Sequence, residues 1–261
     1  DAGSDALHVT AGHVWNNGHI VINGHDERAV YADYAAAVRE AVDVPVIAAG
    51  RINDPELADG LIADGKADLT AMGRAHIADP HFARKAKAGD LDGIRRCVGG
   101  MEGCRDLVNG NPVTCTVNPR VGREGETTDP AADPETIAVV GGGPAGLEFA
   151  RWAARRGHDV TVYEAESEIG GQLRWAQHAP GKQEYAELLG FLEAELDREN
   201  VNIETEADIE AADLEALSAD TVVVATGSAP AVPTVEGISD AIAAGRVVTP
   251  EDVLTGDADA E

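Results

Sequence analysis

Three short apolar runs and two stretches of helical periodicity alternate along the first hundred residues. Runs of this length are typical of buried strands, and the stretches between them place apolar residues every three to four positions, as amphipathic helices do. In chain order the predicted elements are a strand at 5–12, a helix at 31–42, a strand at 44–50, a helix at 54–65 and a strand at 67–74. This alternation predicts parallel β/α units joined by right-handed crossovers.

The two predicted helices carry more specific signals. The second has Asp54 as its N-cap, Pro55 at its first position and Gly65 at its C-terminal end, which is the usual chemistry of helix termini. In the first, an apolar face is expected to pack inward, and its residues are Tyr31, Tyr34, Val38 and Val42.

A second α/β pattern begins after a polar linker at 125–135, "GETTDPAADPE", which marks a domain boundary. Between the two patterns, residues 97–124 are rich in Gly, Asn and Pro and have little periodicity. The second pattern contains a strand at 137–140, a glycine-rich turn, a helix, a strand ending at Glu164, a helix at 184–199 and a strand at 221–227.

The charge balance is strongly acidic, with 20 Lys and Arg residues against 47 Asp and Glu residues and a net charge of −27. Such a surface repels nucleic acid and anionic membranes, so a small-molecule substrate is the expected partner. The charge could serve a strongly basic protein partner or solubility in a high-salt cytoplasm. Acidic residues occur in every segment, which favours the halophilic interpretation.

Location and redox setting follow from what the sequence contains. No run approaches the ~18–20 apolar residues of a membrane span, and no signal-peptide pattern begins the chain. Three clustered cysteines in 261 residues do not suggest a disulfide framework, which predicts a reducing, cytoplasmic setting. The oligomeric state is left open.

The most specific motif is "GGGPAG", in which Gly141, Gly143 and Gly146 match G-x-G-x-x-G between a strand and a helix. Gly141 permits the tight turn, Gly143 lets the backbone approach a pyrophosphate, and Gly146 allows close packing of helix on strand. The helix that follows, from Pro144 and Ala145 onward, offers N–H groups to the phosphates. Glu164, 21 residues after Gly143, can accept hydrogen bonds from ribose. A glycine turn without a ligand is the alternative.

Two further stretches favour FAD over NAD, with ADP alone as a variant. "EIGGQL" at 168–173 and "ATG" at 225–227 resemble the FAD domains of glutathione-reductase-like proteins. The candidate cofactor residues from these stretches are Gly171, Gln172, Ala225, Thr226 and Gly227.

In the first half, "AAGR" and "AMGR" each place a Gly-Arg pair at the predicted end of a parallel strand. Barrel enzymes bind phosphate there, through glycine N–H groups and arginine side chains. Ordinary βα turns with surface arginines are the alternative. The pairs are Gly50 with Arg51 and Gly73 with Arg74.

The histidines and cysteines are less conclusive by themselves. His8, His13, His19 and His25 match no compact metal motif, although His13 follows a strand end and could line a substrate pocket. The thiols of Cys97, Cys104 and Cys115 could ligate an iron–sulfur cluster or zinc, but structural zinc normally needs four ligands.

Taken together, "PVIAAGRINDPELA", "ADLTAMGRAHIADPHFARKAKAGDLDGIRRC", "CTVNPRVGRE" and "VVGGGPAGLEFA" resemble one family over nearly the whole chain. It is the multidomain NADH:flavin oxidoreductases of the old yellow enzyme class, to which 2,4-dienoyl-CoA reductase and trimethylamine dehydrogenase belong. The resemblance implies an α/β architecture. Its parts are the C-terminal portion of a (β/α)8 FMN barrel at 1–96, an iron–sulfur segment at 97–124, the linker at 125–135 and a Rossmann-like FAD-binding domain at 136–261.

By the same resemblance, NAD(P)H reduces FAD, a [4Fe–4S] cluster held by the three cysteines passes single electrons, and FMN reduces an enoate or 2,4-dienoyl-CoA-type C=C bond. Amine oxidation of the trimethylamine dehydrogenase kind is one alternative, and a non-catalytic FAD- or ADP-binding module is another.

Two features depart from the family pattern. Gly100 stands where the family has a fourth cysteine, so the cluster could have an outside ligand, contain three irons or be absent. The chain is also expected to be a fragment, with most barrel strands and the NAD(P)H subdomain missing, so no catalytic residue is named and activity of the chain alone is not expected.

Overall fold

A computed structural model describes residues 3–12, 22–105, 110–126 and 129–256. The chain divides into two compact units, Asp1–Thr127 and Thr128–Glu261. Both units are mixed α/β structures with parallel sheets, as the alternation of runs predicts. Within the described residues, no helix is long and apolar enough to span a bilayer.

The first unit contains a three-stranded parallel sheet in the order β1-β2-β3. Pairing of Val9 with Ala48, and of Ala48 with Thr70, brings the carboxyl ends of the three strands to one edge. The elements are β1 (Leu7–Val9), α1 (Ala32–Ala41), β2 (Val46–Ala48), α2 (Pro55–Ala63), β3 (Leu69–Thr70), α3 (Gly73–Ala78) and α4 (Phe82–Ala88).

The helix-facing side of this sheet forms a small apolar core. Val46 and Ala48 are fully buried there, against Ala35 of α1 and Leu61 of α2. The predicted face of α1 is wrong at Tyr34, which is 59% exposed. The inward stripe runs through residues 31, 35, 38 and 42 instead, because steps of four, three and four residues follow the 3.6-residue helical period.

The termini of α2 are as predicted. The Asp54 carboxylate accepts a hydrogen bond from Leu57 N (2.9 Å), and Pro55 begins the helix. Gly65 has a positive φ of 71° and follows the helix end. The predicted strand at 67–74 is too long, however, because β3 ends at Thr70 and Gly73 and Arg74 open α3.

A buried carboxylate holds the segment that leads into the cysteines. Asp79 accepts hydrogen bonds from His81 N (2.9 Å), Lys85 Nζ (2.6 Å) and Arg95 N (3.0 Å). Burial alone would raise the pKa of Asp79, but these donors outweigh it and hold the pKa below its usual value. Through Lys85 and Arg95, the Asp79 carboxylate links α4 to the backbone that leads to Cys97.

The second unit is built on a four-stranded parallel sheet in the order β6-β5-β4-β7. Its helices α5 (Pro144–Arg155) and α7 (Tyr185–Arg198) bury Leu147, Phe191 and Leu196. The elements are β4 (Thr136–Val140), α5 (Pro144–Arg155), β5 (Asp159–Tyr163), α6 (Leu173–Ala176), α7 (Tyr185–Arg198), β6 (Asn202–Glu204), a 3-10 turn (Leu214–Leu217), β7 (Thr221–Val224), α8 (Ile238–Ala243) and α9 (Pro250–Thr255).

A buried charge network joins α5 to α7. The Arg151 guanidinium is 4% exposed and forms ion pairs with Glu148 (2.9 Å) and Glu195 (3.4 Å). Its guanidinium carbon also lies 4.6 Å from the centre of the Trp152 ring. Residues 44 positions apart in sequence are thereby fixed against each other.

Candidate functional site

The glycine-rich turn of the second unit is tightly packed on one side and open on the other. A Cβ at Gly141 (φ 110°) would lie 2.4 Å from Ala225 O, and one at Gly146 would lie 2.0 Å from Gly141 O. Among the described residues, and apart from its two neighbours in the chain, no atom lies within 4 Å of the Cβ position of Gly143. The closed side needs glycine for packing, and the open side leaves the backbone accessible to a ligand.

The open side coincides with the N-terminus of a twelve-residue helix. Gly143 is the N-cap of α5, Pro144 occupies the first position, and no side chain caps the helix. The first-turn N–H groups of Ala145 and Gly146 therefore receive no side-chain acceptor from the N-cap. Such N–H groups and the positive end of the helix dipole suit a pyrophosphate.

Glu164 directly follows β5 and is 8% exposed. Its Oε2 accepts a hydrogen bond from Gly142 N (2.7 Å) and its Oε1 one from Glu166 N (3.0 Å). An ionised carboxylate has about four acceptor positions, so these two bonds orient the group and leave capacity for ribose hydroxyls.

Two loops meet around this turn. Gly170 N donates to Gly142 O (2.7 Å), and a Cβ on Gly171 would lie 3.0 Å from Gly143 Cα. Gln172 Nε2 donates to the backbone oxygen (3.0 Å) and to Oγ (3.1 Å) of Ser228. The described residues thus bring all the dinucleotide candidates of this unit around one turn, including Thr226 and Gly227, which follow β7.

The residues of this turn fit a dinucleotide. The turn combines a helix N-terminus without a side-chain cap, an open glycine, and a carboxylate held at the end of the neighbouring strand. Pyrophosphate and ribose are the groups that such a set accepts.

In the first unit a cavity of about 290 Å³ opens at the carboxyl edge of the sheet. It brings both predicted Gly-Arg pairs together, although Gly73 and Arg74 reach it from a helix rather than from a strand end. His8 also lines it; His25 is not among the lining residues, and His13 and His19 lie outside the described residues. The lining residues are His8, Thr10, Ile22, Tyr31, Ala49, Gly50, Arg51, Ile52, Asn53, Ala71, Met72, Gly73, Arg74, Ala75 and Cys97.

The backbone around the first Gly-Arg pair has unusual geometry. Gly50 has φ 110°, and a Cβ there would lie 2.7 Å from the Tyr31 ring. Arg51 has φ 57°, the left-handed region that non-glycine residues adopt at a cost of about 1–2 kcal/mol. Outliers of this kind cluster at functional sites. Two guanidinium groups in one cavity fit a phosphate or another oxyanion.

Two residues with no recognisable signal of their own in the sequence anchor the cysteine segment to this site. Asn53 Nδ2 donates to Cys97 O (2.6 Å), and Arg96 forms an ion pair with Asp54 (2.9 Å). In the sequence, the only nearby signal is that Asn53 directly precedes Asp54, the N-cap of α2. Contacts over 40 residues of separation have no signature in sequence periodicity.

The three cysteines are free thiols. Burial raises the pKa of Cys97 and of Cys104, and the positive charge of Arg74 offsets part of the effect at both. Over residues 3–12, 22–105, 110–126 and 129–256, no group of three or more His, Cys, Asp or Glu side chains is arranged to hold a metal ion. Gly100 has no side chain to contribute as a fourth ligand, so a cluster on the three cysteines stays a prediction.

Comparisons with known proteins identify the class to which these two units belong. The family described as pyridine nucleotide-disulphide oxidoreductase matches residues 121–179 and 135–258, more than half of the chain. The NADH:flavin oxidoreductase / NADH oxidase family matches residues 5–92. Both are flavin or nicotinamide redox families, so the class is that of flavin-dependent oxidoreductases.

The chain belongs to the pyridine nucleotide-disulphide oxidoreductase family, in the multidomain arrangement that joins it to an NADH:flavin oxidoreductase segment. Among curated proteins it is 39% identical to NADH oxidase from Thermoanaerobacter brockii over 91% of this chain and 37% of the relative. Cinnamate reductase from Clostridium sporogenes is 36% identical over 97% of this chain and 37% of the relative. N,N-dimethylglycine/sarcosine dehydrogenase from Chromohalobacter salexigens is 38% identical over 85% and 33%.

A solved structure of 2-naphthoyl-CoA reductase with 2-naphthoyl-CoA is similar to this chain with a TM-score of 0.90 and 31% identity. The match covers 97% of this chain and 38% of that one. The chain therefore spans less than two fifths of the length of these relatives.

Proposed function

We propose that this chain serves a flavin oxidoreductase that moves electrons from NAD(P)H by way of FAD to FMN and reduces a C=C bond of an enoate or 2,4-dienoyl-CoA type. One observation carries the proposal: each unit has its own candidate site, one an open glycine turn at a helix N-terminus and one a cavity with two arginines. The two matching families support two different nucleotide cofactors in one chain.

In the second unit, the open face of Gly143 and the N–H groups of Ala145 and Gly146 would hold the pyrophosphate of FAD. Glu164 would accept hydrogen bonds from ribose. The bridge from Gln172 to Ser228 would keep the two surrounding loops together. ADP would use the same residues, so the nucleotide in this unit is an outcome of the experiment below.

In the first unit, Arg51 and Arg74 would bind the phosphate of FMN, with the backbone at Gly50 and Gly73 close to it. On this interpretation, the first unit is the C-terminal part of an FMN-binding (β/α)8 barrel. FMN supplies hydride or single-electron chemistry when bound. The contribution of the described residues is to fix its phosphate end.

The cluster stays a separate prediction. A [4Fe–4S] cluster on Cys97, Cys104 and Cys115 would need a ligand from outside the chain in place of Gly100. Counting iron and acid-labile sulfide per chain, in protein purified without oxygen, tests it. About four of each would support the cluster, and values near zero would exclude it.

The similarity to a dimethylglycine/sarcosine dehydrogenase favours one alternative reaction, the oxidation of a methylated amine. The two reactions differ in direction, since one consumes NAD(P)H and the other delivers electrons from the substrate. Turnover of the complete holoenzyme with an enoyl thioester, against turnover with a methylated amine, separates them.

The primary experiment is release and separation of bound flavins from the wild-type holoenzyme and two variants. We expect one FMN and one FAD in the wild type. Arg51→Gln should lower FMN alone. Gly143→Val should lower FAD alone, whereas Gly190→Val is the control, since its Cβ also meets no atom within 4 Å but it lies on the exposed face of α7. Loss of both flavins in either variant, or ADP in place of FAD, would contradict the assignment.

A further inference from the structure

Arg74 lies where the cavity of the first unit meets the cysteine segment. Its Nη1 donates to Ile22 O (2.7 Å), and the same nitrogen also contacts the thioether sulfur of Met101. Arg74 and Ile22 both line the cavity. The Arg74 guanidinium, one of the two that line the cavity, is therefore held in part by Met101, the residue that follows Gly100.

The backbone of Met101 is constrained. It has φ 62°, a left-handed conformation that costs a non-glycine residue about 1–2 kcal/mol. Nearby, Gly24 N donates to Gly99 O (3.0 Å), and a Cβ on Gly99 would lie 3.2 Å from Arg51 Nε. Cys97 lines the cavity, and Gly99 and Met101 after it lie against the two arginines of the cavity.

We propose that Met101 is a positioning residue of the anion pocket, which acts through Arg74 by fixing its guanidinium against the carbonyl of Ile22. Arginine binds oxyanions through a planar fork, so affinity depends on the orientation of the fork before the ligand arrives. The inference rests on the proposed function only for the identity of the ligand, the phosphate of FMN.

The test is the dissociation constant of FMN for the full chain, measured by quenching of flavin fluorescence. Arg74→Gln removes a charge-assisted contact and should weaken binding about tenfold or more. Met101→Leu keeps the volume, removes the sulfur and should weaken binding about threefold. Because Met101 acts through Arg74, adding Met101→Leu to Arg74→Gln should change nothing further.

The proposal would be overturned if the fold-changes in dissociation constant of the two single variants multiplied in the double variant. It would also be overturned if Met101→Leu bound FMN as tightly as the wild type. Val113→Ala is the matched control, since Val113 belongs to the same segment but, unlike Met101, is not among the side-chain contacts of Arg74; it should bind FMN as the wild type does.

A ligand-free measurement separates this proposal from the proposed function. The Nε–H resonance of Arg74, assigned by its loss in Arg74→Lys, should shift in Met101→Leu and stay in place in Val113→Ala. If the wild type binds no FMN, the FMN assignment fails, while a shift of this resonance still supports the role of Met101. An unmoved resonance refutes that role, whether or not FMN binds.

Discussion

Two glycines of the same motif are expected to respond in opposite ways to one added methyl group. At Gly146, a Cβ would lie 2.0 Å from Gly141 O and 3.2 Å from Val139 Cγ1. Carbon and carbonyl oxygen normally approach no closer than about 3.2 Å, so α5 would have to move away from β4 by roughly an ångström. Overpacking of this kind costs about 1–3 kcal/mol or more.

At Gly143 the same change meets no atom of a described residue within 4 Å beyond the neighbours in the chain, and φ −77° with ψ 176° suits alanine. The free energy of unfolding should change by less than about 0.5 kcal/mol. The methyl group instead occupies the space through which a pyrophosphate approaches the backbone. A loss of about 2 kcal/mol in binding corresponds to roughly a thirtyfold higher dissociation constant.

Thermal unfolding followed by tryptophan fluorescence, together with FAD titration, measures both effects, because Trp152 lies on α5. We expect Gly146→Ala to lower the unfolding temperature by several degrees, and Gly143→Ala to leave it unchanged but bind FAD weakly. Full FAD affinity in Gly143→Ala would refute the assignment of the open side. Unchanged stability in Gly146→Ala would refute the packing argument.

Three further predictions concern stability and strain. Arg151→Ala leaves two carboxylates without their buried partner and should lower the free energy of unfolding in urea by about 3 kcal/mol. Arg155→Ala, on the exposed side of the same helix, is the control and should lower it by less than about 0.5 kcal/mol. Equal losses in the two variants would contradict the charge network. Ionised Asp79 stabilises the fold above its unfolded pKa of about 4, and this contribution is lost as pH falls through the lower folded value. Below about pH 4, the free energy of unfolding of Asp79→Asn should therefore depend less on pH than that of the wild type. An unchanged pH dependence would argue against the stabilising role of the Asp79 hydrogen bonds. Arg51→Gly should relieve left-handed strain and be no less stable than wild type in thermal unfolding while retaining less FMN; a marked loss of stability would show that the arginine is structural.

The sequence predicted the second unit best where the signals are local. The turn from β4 to α5 follows from an apolar run, three spaced glycines and a proline, all within ten residues. The first helix shows the limit of the same reasoning, since Tyr34 satisfies an i, i+3 spacing from Tyr31 but the helical period places Ala35 inward. A small residue on the buried side gives no hydrophobic signal as strong as that of an exposed tyrosine.

Contacts between distant segments could not be predicted at all. The pairing of Asn53 with Cys97, of Arg151 with Glu195 and of Arg74 with Met101 depends on how the elements pack in space. Asn53, Arg151 and Glu195, taken alone, have the sequence features of ordinary surface residues. Both Gly-Arg pairs were identified, but the helical setting of the second was missed because "LTAMGR" is apolar enough to resemble one continuous strand.

The contact between Gly141 and Ala225 has a consequence for the order of assembly during synthesis. The turn, the helix and Glu164 leave the ribosome some sixty residues before Ala225 does, yet the wall that closes the back of the turn comes from the residue after β7. The nucleotide site is therefore finished only when β7 docks beside β4, a step that closes a long loop and is slow for that reason. Until then a growing chain carries the most recognisable motif of the protein without the pocket that the motif belongs to.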